Sequence, residues 1–585
     1  MYEQIFDPVG DSLALSSLFA VLPLLTIFVL LGVLRMKAQW AALIALVVAL
    51  VVAIVVYSMP IGQALSTAAE GATFGLFPIM WIVVNALWIY NMTVATGHFD
   101  VLRRSFGTVS SDQRIQAVII AFCFGALLEA LAGFGTPVAI SSVMLIALGF
   151  PAIKAATVAL VANTAPVAFG AIAVPITTLA ELTGLPVSEL GATVGRQTPI
   201  LALFVPLVLV FLVDGRRGLR QTWLAAVVVG VVFAVGQFIS SNYLSVELTD
   251  IVAALASAAA VVLLLRVWQP SEVLTAERLS EEEMQGQIST ATSSAHAVET
   301  GSSRGQGRES SAGSHTATSS DSDAAGQQTD GSHNDASRDA GSDVFKAYLP
   351  YLVIIVVFSV AQIGPVKTLL ETGIIEFAWP GLDIVTPTGE PPAAATFSFN
   401  WLPAAGTLLL FSGLITMAAL SLSPGRAVKA YGETLDQLKW AILTVAAVLA
   451  LAYVMNFSGQ TITIGQWIAG SGAFFAFLSP VLGWLGVAVT GSDTSSNALF
   501  GTLQVAAAKE AGLSEVLLAS ANSSGGVLGK MISPQNLAIA AAATGMAGKE
   551  GDLFRKVLGW SVGLLLIMCV LVYLQSTPVL AWMLP

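Results

Sequence analysis

Charge is scarce in this chain. Only 10% of its 585 residues are Asp, Glu, Lys or Arg, while 56% are hydrophobic. A soluble protein carries about a quarter charged residues, so this one cannot cover a globule with polar groups and must turn much of its surface to lipid. Cysteine is almost missing: Cys123 and Cys569 lie far apart in apolar runs, which excludes a disulfide framework and a thiolate metal site. Three of the four histidines, His296, His315 and His333, stand widely spaced in one polar tract, and the other is His98. Neither a zinc motif, a nucleophile–base pair nor a phosphate-binding loop is present, so no metal, no cofactor and no enzymatic activity are expected. The net charge is −11, from 25 basic and 36 acidic residues. Without a basic excess, nucleic acid is excluded as the main partner.

What the chain has in abundance is apolar runs. A membrane-crossing helix needs about 20 mostly apolar residues. Such runs lie near 13–34, 40–59, 72–96, 198–213, 221–241 and 250–268, and again near 345–365, 400–421, 438–457 and 556–576. Three further zones, 115–183, 461–509 and 514–546, are apolar but interrupted by Gly, Pro, Ser, Thr and Asn. Between the halves, residues 269–343 form a Ser/Thr/Gly/Asp/Glu tract that cannot bury enough apolar surface to offset ordering. It is expected to be a disordered linker between two transmembrane repeats, 1–268 and 344–585. With 13 acidic and 4 basic residues the tract carries −9, and the other 510 residues carry only −2. The acidity is a property of the linker.

Lys and Arg in short loops set orientation. Arg35 and Lys37, then Arg103, Arg104 and Arg114, then Arg216, Arg217 and Arg220 mark successive cytoplasmic loops, followed by Lys346, Arg426, Lys429 and Lys439 and by Lys549, Arg555 and Lys556. This alternation requires 115–149 to be a re-entrant hairpin from the cytoplasm and 468–509 one from outside. With twelve crossings, both termini are then outside, the linker is cytoplasmic, and 17 of the 21 basic residues beyond the linker face the cytoplasm.

An internal repeat agrees with this topology. Asn163, Gly170 and Pro175 recur as Asn522, Gly529 and Pro534 at a constant offset of 359 residues, and Gly133 and Thr136 recur as Gly491 and Thr494 at 358. The expected fold is therefore an all-α polytopic membrane protein with two inverted repeats, each holding a re-entrant hairpin and a broken helix. Inverted repeats whose broken helices meet at the midplane characterise secondary transporters. Backbone that leaves the helix at depth must line a protected polar cavity, and half-helix N-termini present partial positive charge to an anion. The hydroxyl and amide groups at the breaks are the candidate substrate ligands: Thr136, Asn163 and Thr164 in the first repeat, and Thr494, Ser495, Ser496, Asn522, Ser523 and Ser524 in the second.

Away from span ends, three charges fall at depth: Glu129, Asp493 and Lys530. A charge there is a functional candidate by default. Lys530 suits a substrate carboxylate or the neutralisation of Asp493. Glu129, one turn before the first hairpin tip, and Asp493, at the second, are the candidate proton carriers. His98 reads as an interfacial residue.

Four stretches carry a family resemblance: Glu129-Ala-Leu-Ala-Gly-Phe-Gly-Thr136-Pro, Ala162-Asn-Thr-Ala-Pro-Val-Ala-Phe-Gly, Gly491-Ser-Asp-Thr-Ser-Ser-Asn497 and Ala521-Asn-Ser-Ser-Gly-Gly-Val-Leu-Gly-Lys530-Met-Ile-Ser-Pro-Gln-Asn536. The sequence resembles the L-lactate permease family over nearly its whole length except 269–343, which departs from the family's shorter central loop. The resemblance implies proton-coupled import of lactate, and often glycolate, across the cytoplasmic membrane. More distantly the paired hairpins and broken helices look like the ion transporter superfamily. That analogy implies the alternative, a sodium-coupled carboxylate or dicarboxylate symporter, and it alone suggests a homodimer.

Overall fold

A computed structural model of the chain describes residues 2–34, 36–107, 109–133, 135–275, 341–361, 363–386, 396–546 and 549–585. Most of the expected linker, 276–340, lies outside the described residues. At the edges of that tract, Glu272 and Leu274 dock against the body, and Gly341–Asp343 open the helix Gly341–Ala361.

The protein is an all-α polytopic membrane protein. Among the described residues strand is confined to two short pairs: Tyr2–Glu3 parallel to Ile384–Val385, and Ile374–Ala378 antiparallel to Thr396–Asn400. Among the described residues ten helices are long and apolar enough to cross a bilayer, or eleven with the bent pair Ala152–Ala162 and Val167–Thr183. That number is lower than the twelve crossings expected from the sequence. Val187–Leu244 runs as one stretch of 58 residues. Its helical part, Val187–Ile239, has non-helical backbone at Asp214 and Gly215. At 1.5 Å per residue an unbroken helix of that length would run about 80 Å, far beyond a hydrocarbon core of about 30 Å. The 15-residue apolar helix Ala405–Ala419 and the second broken helix fall outside these ten, and one arm of each hairpin, Gln113–Leu131 and Gly472–Thr490, falls among them.

Both expected hairpins are present. In the first, Gln113–Ala132 and Thr136–Ala147 pack side by side around a tip at Gly133–Gly135. Gly135 takes φ +85°, and a Cβ there would sit 2.4 Å from Ile539, so this tip requires glycine. In the second, Phe475–Thr490 turns through Gly491 (φ +76°) into Asp493–Ala511. Ser492 caps the new helix by accepting a hydrogen bond from the Ser495 amide.

Each hairpin is followed by a broken helix. Ala152–Ala162 ends at Asn163, and the chain turns through 64° before Thr183. Ala171, Ile172 and Ala173 all take positive φ. Left-handed backbone costs roughly 1–2 kcal/mol per non-glycine residue, and strain of this kind gathers at functional sites. The second broken helix is displaced from expectation. Asn522, Ser523 and Ser524 lie inside the regular helix Glu515–Gly529, and the break comes at the turn Lys530–Ile532, with Ser533 capping Pro534–Ala543. Proline forces its predecessor out of helical conformation, whereas Ser and Asn can be carried inside a regular helix.

The two hairpin units exchange contacts. The half-helix Gly170–Thr183 packs on Asp493–Ala511, and Pro534–Ala543 packs on Thr136–Ala147. Around them the long helix Pro424–Ser458 packs against Ala38–Val55, Ile61–Phe74 and Trp81–Ala95.

At one end of the bundle Arg114 is fully buried. Its guanidinium donates to Asp112 (2.6 Å), to Asp214 (2.9 Å) and to the Glu272 carbonyl (2.6 Å). One side chain thus ties the base of the first hairpin to the Asp214–Gly215 turn and to the segment after the helix Thr249–Val267. Removing one partner of a buried ion cluster costs about 3–5 kcal/mol. Arg114→Ala should therefore lower the melting temperature of the detergent-purified protein by several degrees, and an unchanged melting curve would contradict this role.

Candidate functional site

The two hairpin tips and the half-helices after the two breaks enclose a cavity of about 1090 Å³. Gly133 and Gly491 reach it from the tips, and Val174, Pro175, Ile532 and Pro534 from the breaks. Pro175 and Pro534, related by the repeat offset, both open the regular part of their half-helix. Lys37, Trp440, Glu550 and Phe554 line it toward one end of the bundle.

Two opposite charges face each other in its wall. Lys530 Nζ donates to Glu129 Oε1 at 2.5 Å, and the two residues are only 6% and 2% exposed. The pair joins the second break to the first hairpin. A Cβ at Gly170 would sit 2.9 Å from Glu129 Oε1, so glycine there makes room for the carboxylate. Glu129 Oε2 has no hydrogen-bond partner. The charge of Lys530 acts on Asp493 through space, but its direct ion pair is with Glu129. Asp493 instead accepts from Ser523 Oγ at 2.6 Å, and its Oδ1 is unpartnered.

Of the candidate residues, Glu129, Asp493, Thr494, Ser495 and Lys530 line the cavity. Others lie in its backing. Asn522 donates to Asn497 Oδ1 (2.9 Å) and accepts from Gln504 (3.2 Å), Gln504 accepts from Ser479 (2.8 Å), and Asn497 donates to the Pro175 carbonyl (3.0 Å). Ser496 donates to the Gly483 carbonyl and Thr164 to the Val161 carbonyl. Asn163 is buried with both side-chain polar atoms unpartnered, as is Ser524 Oγ. Thr136 opens the second arm of the first hairpin and is not among the cavity-lining residues.

Sequence reasoning missed several contributors. Ser492 and Gln535 line the cavity, and Gln504 completes the amide network. Glu70 and Asp250, which stand at the edges of the apolar runs 72–96 and 250–268, are fully buried. Gln237 donates to Asp250 Oδ1 (2.9 Å) and to the Ala165 carbonyl in the first break (3.2 Å). The signal for Glu70 is the Gly71/Gly75 pair beside it, since small residues four apart mark a close helix contact. Among the described residues no group of three His, Cys, Asp or Glu could hold a metal ion.

Hairpins and broken helices around a deep cavity with a buried cation in its wall define the chain as a polytopic membrane protein with a central site. It belongs to the L-lactate permease family, whose sequence profile matches residues 16–302 and 314–579. It is 41% identical to the L-lactate permease of Bacillus subtilis, with all of both chains covered. It is 40% identical to the glycolate permease GlcA of Escherichia coli K12, covering 98% of each, and 39% identical to the L-lactate permease of that strain, covering all of each. Among solved structures, the Alcanivorax borkumensis YdaH transporter aligns with 87% of this chain and 86% of its own at 16% identity and a TM-score of 0.41.

Proposed function

We propose that the chain is a secondary active transporter of the cell membrane that imports L-lactate, and glycolate or related 2-hydroxymonocarboxylates, by proton symport. The observation that carries the mechanism is the Lys530–Glu129 pair in the cavity wall. A lactate carboxylate and the Glu129 carboxylate compete for the same ammonium. Protonating Glu129 releases Lys530 to the substrate, so one proton and one monocarboxylate bind together and the loaded site carries no added charge. Lactate affinity then rises as pH falls. Thr494 and Ser495, with the N-terminal amides of Asp493–Ala511, supply donors beside Lys530. Asp493, hydrogen-bonded by Ser523, is the second candidate proton carrier, and Asn163, Thr164, Ser496, Asn522 and Ser524 position the two breaks around the site, with Thr136 at the first hairpin's tip.

The inverted-repeat topology belongs to this reading. It is supported by the reciprocal packing of the two half-helices on the opposite hairpins and by Pro175 and Pro534 opening equivalent half-helices. The basic-residue count puts Lys37 and Lys549 in the cytoplasm, with the linker there and both termini outside. The large cavity, lined by Lys37 and Glu550, would then face inward. A homodimer enters only through the superfamily analogy.

Purified protein in liposomes, given proton and sodium gradients separately, tests the reading. A proton gradient should drive accumulation of lactate and glycolate but not succinate, and a sodium gradient alone should drive none. Glu129→Gln should keep lactate exchange while the proton-driven accumulation ratio collapses toward one. Sodium-driven uptake would favour the alternative symporter. Proton-driven accumulation surviving in both Glu129→Gln and Asp493→Asn would refute the proton assignment.

A further inference from the structure

Glu70 is an isolated ionisable group within the helical bundle. It lies on the helix Ile61–Phe74, is 0% exposed, and neither carboxyl oxygen has a hydrogen-bond partner. The surrounding elements bring no counter-charge. Ile61–Phe74 packs on Pro424–Ser458, on Ala38–Val55 and on the turn Gly75–Met80. Neither Ala38–Val55 nor Gly75–Met80 contains a charged residue, and Pro424–Ser458 has none beyond Lys439. Next to Glu70, Gly71 meets the backbone of Leu449 and Ala450, where a Cβ would lie 2.6 Å from the Leu449 carbonyl oxygen. Ten residues of helix, about 15 Å, separate that level from Lys439. The ionisable group within electrostatic range is the Tyr453 phenol, and Glu181 acts on that phenol in turn.

The place of Glu70 along Pro424–Ser458 adds a second observation. Trp440, Thr444 and Val445 of that helix line the large cavity. Tyr453, Asn456 and Phe457 line a separate cavity of about 280 Å³, which continues past Thr183 and Lys509 at the other end of the bundle. Glu70 stands at the level between the two, with its helix neighbour Phe74 packed on Tyr453 at a ring distance of 5.9 Å. An ionised carboxylate without donor or counter-ion in such a place is strongly disfavoured, and the environment accommodates the neutral acid.

We propose that Glu70 is a proton-carrying group of the transport cycle, neutral in this conformation and exchanging its proton with the opposite face through the Tyr453 cavity. The proposal rests on the proton-symport reading and places a proton on a helix that holds no part of the substrate site. The step is a proton transfer: the Glu70 carboxyl O–H bond breaks as its proton passes by way of the Tyr453 phenol to water in the cavity that Tyr453 lines, and it reforms by the reverse path.

Glu70→Gln copies the shape and neutrality of the protonated acid, so the fold should tolerate it. In liposomes the variant should retain lactate exchange within about twofold of the native protein and lose proton-driven accumulation by tenfold or more. Infrared difference spectra of the native protein between acid and alkaline buffer should contain a protonated-carboxyl band that Glu70→Gln removes and Glu70→Asp shifts. Accumulation at the native level in Glu70→Gln, or a carboxyl band unchanged by both substitutions, overturns the proposal. Equal loss of exchange and accumulation in both variants overturns it as well, by giving Glu70 a packing role. If the native protein itself ignores the proton gradient, the symport reading has failed instead, and the two failures are thereby distinct.

Discussion

Lys530→Ala should abolish measurable lactate accumulation. A buried ammonium that holds a carboxylate contributes about 2–5 kcal/mol to its binding, equivalent to a loss of about 30-fold to several thousand-fold in affinity. The single variant has a second effect, because it leaves Glu129 buried without its cation. The double variant Lys530→Ala/Glu129→Gln removes both charges and separates the two effects. Its melting temperature should return close to that of the native protein, while uptake and exchange stay absent. Lys530→Arg should rescue only in part, since a guanidinium is larger, planar and fixed in its fork geometry. Native uptake kinetics in the double variant would confine Lys530 to neutralising Glu129.

Gly483→Ala should be nearly as damaging, although it touches neither charge. An added Cβ would lie 1.9 Å from the Asn522 carbonyl oxygen and 2.7 Å from its carbon. These are backbone atoms that no rotamer change can move. The same interface, between Phe475–Thr490 and Glu515–Gly529, brings Gly525 against the Pro480 carbonyl and Gly529 against that of Trp484. Small residues let two helices approach this closely within a bilayer, and the approach fixes Asn522 to Asn497 and Gln504. Overpacking costs about 1–3 kcal/mol or more, and here it also pulls apart the amide network behind the site. Transport should fall more than tenfold, with a lower melting temperature. Gly563→Ala is the matched control, since nothing lies within 4 Å of that position; it should leave uptake unchanged. Equal behaviour of the two variants would mean that the helices separate freely.

Much of this arrangement is legible in the sequence because membrane insertion restricts the choices. Apolar runs of the right length locate the spans, and glycine at 133, 135 and 491 marks tips where backbone must turn sharply or approach closely. The second break is misplaced because Asn522, Ser523 and Ser524 resemble helix-breaking residues when read singly. In the fold two of those side chains are hydrogen-bonded across to the neighbouring hairpin, and Ser533-Pro534 carries the break. The partner of Lys530 is 401 residues away, and no local pattern encodes a pairing at that separation. Glu70 was hidden for a simpler reason. An apolar run counted from residue 72 leaves it at the boundary, whereas the helix starts at Ile61.

The exchange of half-helices between the two hairpin units has a consequence for biosynthesis. Gly135, at the first tip, meets Asn536 and Ile539, residues that leave the ribosome some four hundred codons later. At about 5–20 residues per second, the first hairpin waits roughly 20–80 s for its partner. During that interval its glycine tip, the carboxylate of Glu129 and the left-handed turn at Ala171–Ala173 have no second hairpin unit to cover them. The nascent first half is therefore the stage at which insertion factors and membrane proteases have the most to act upon.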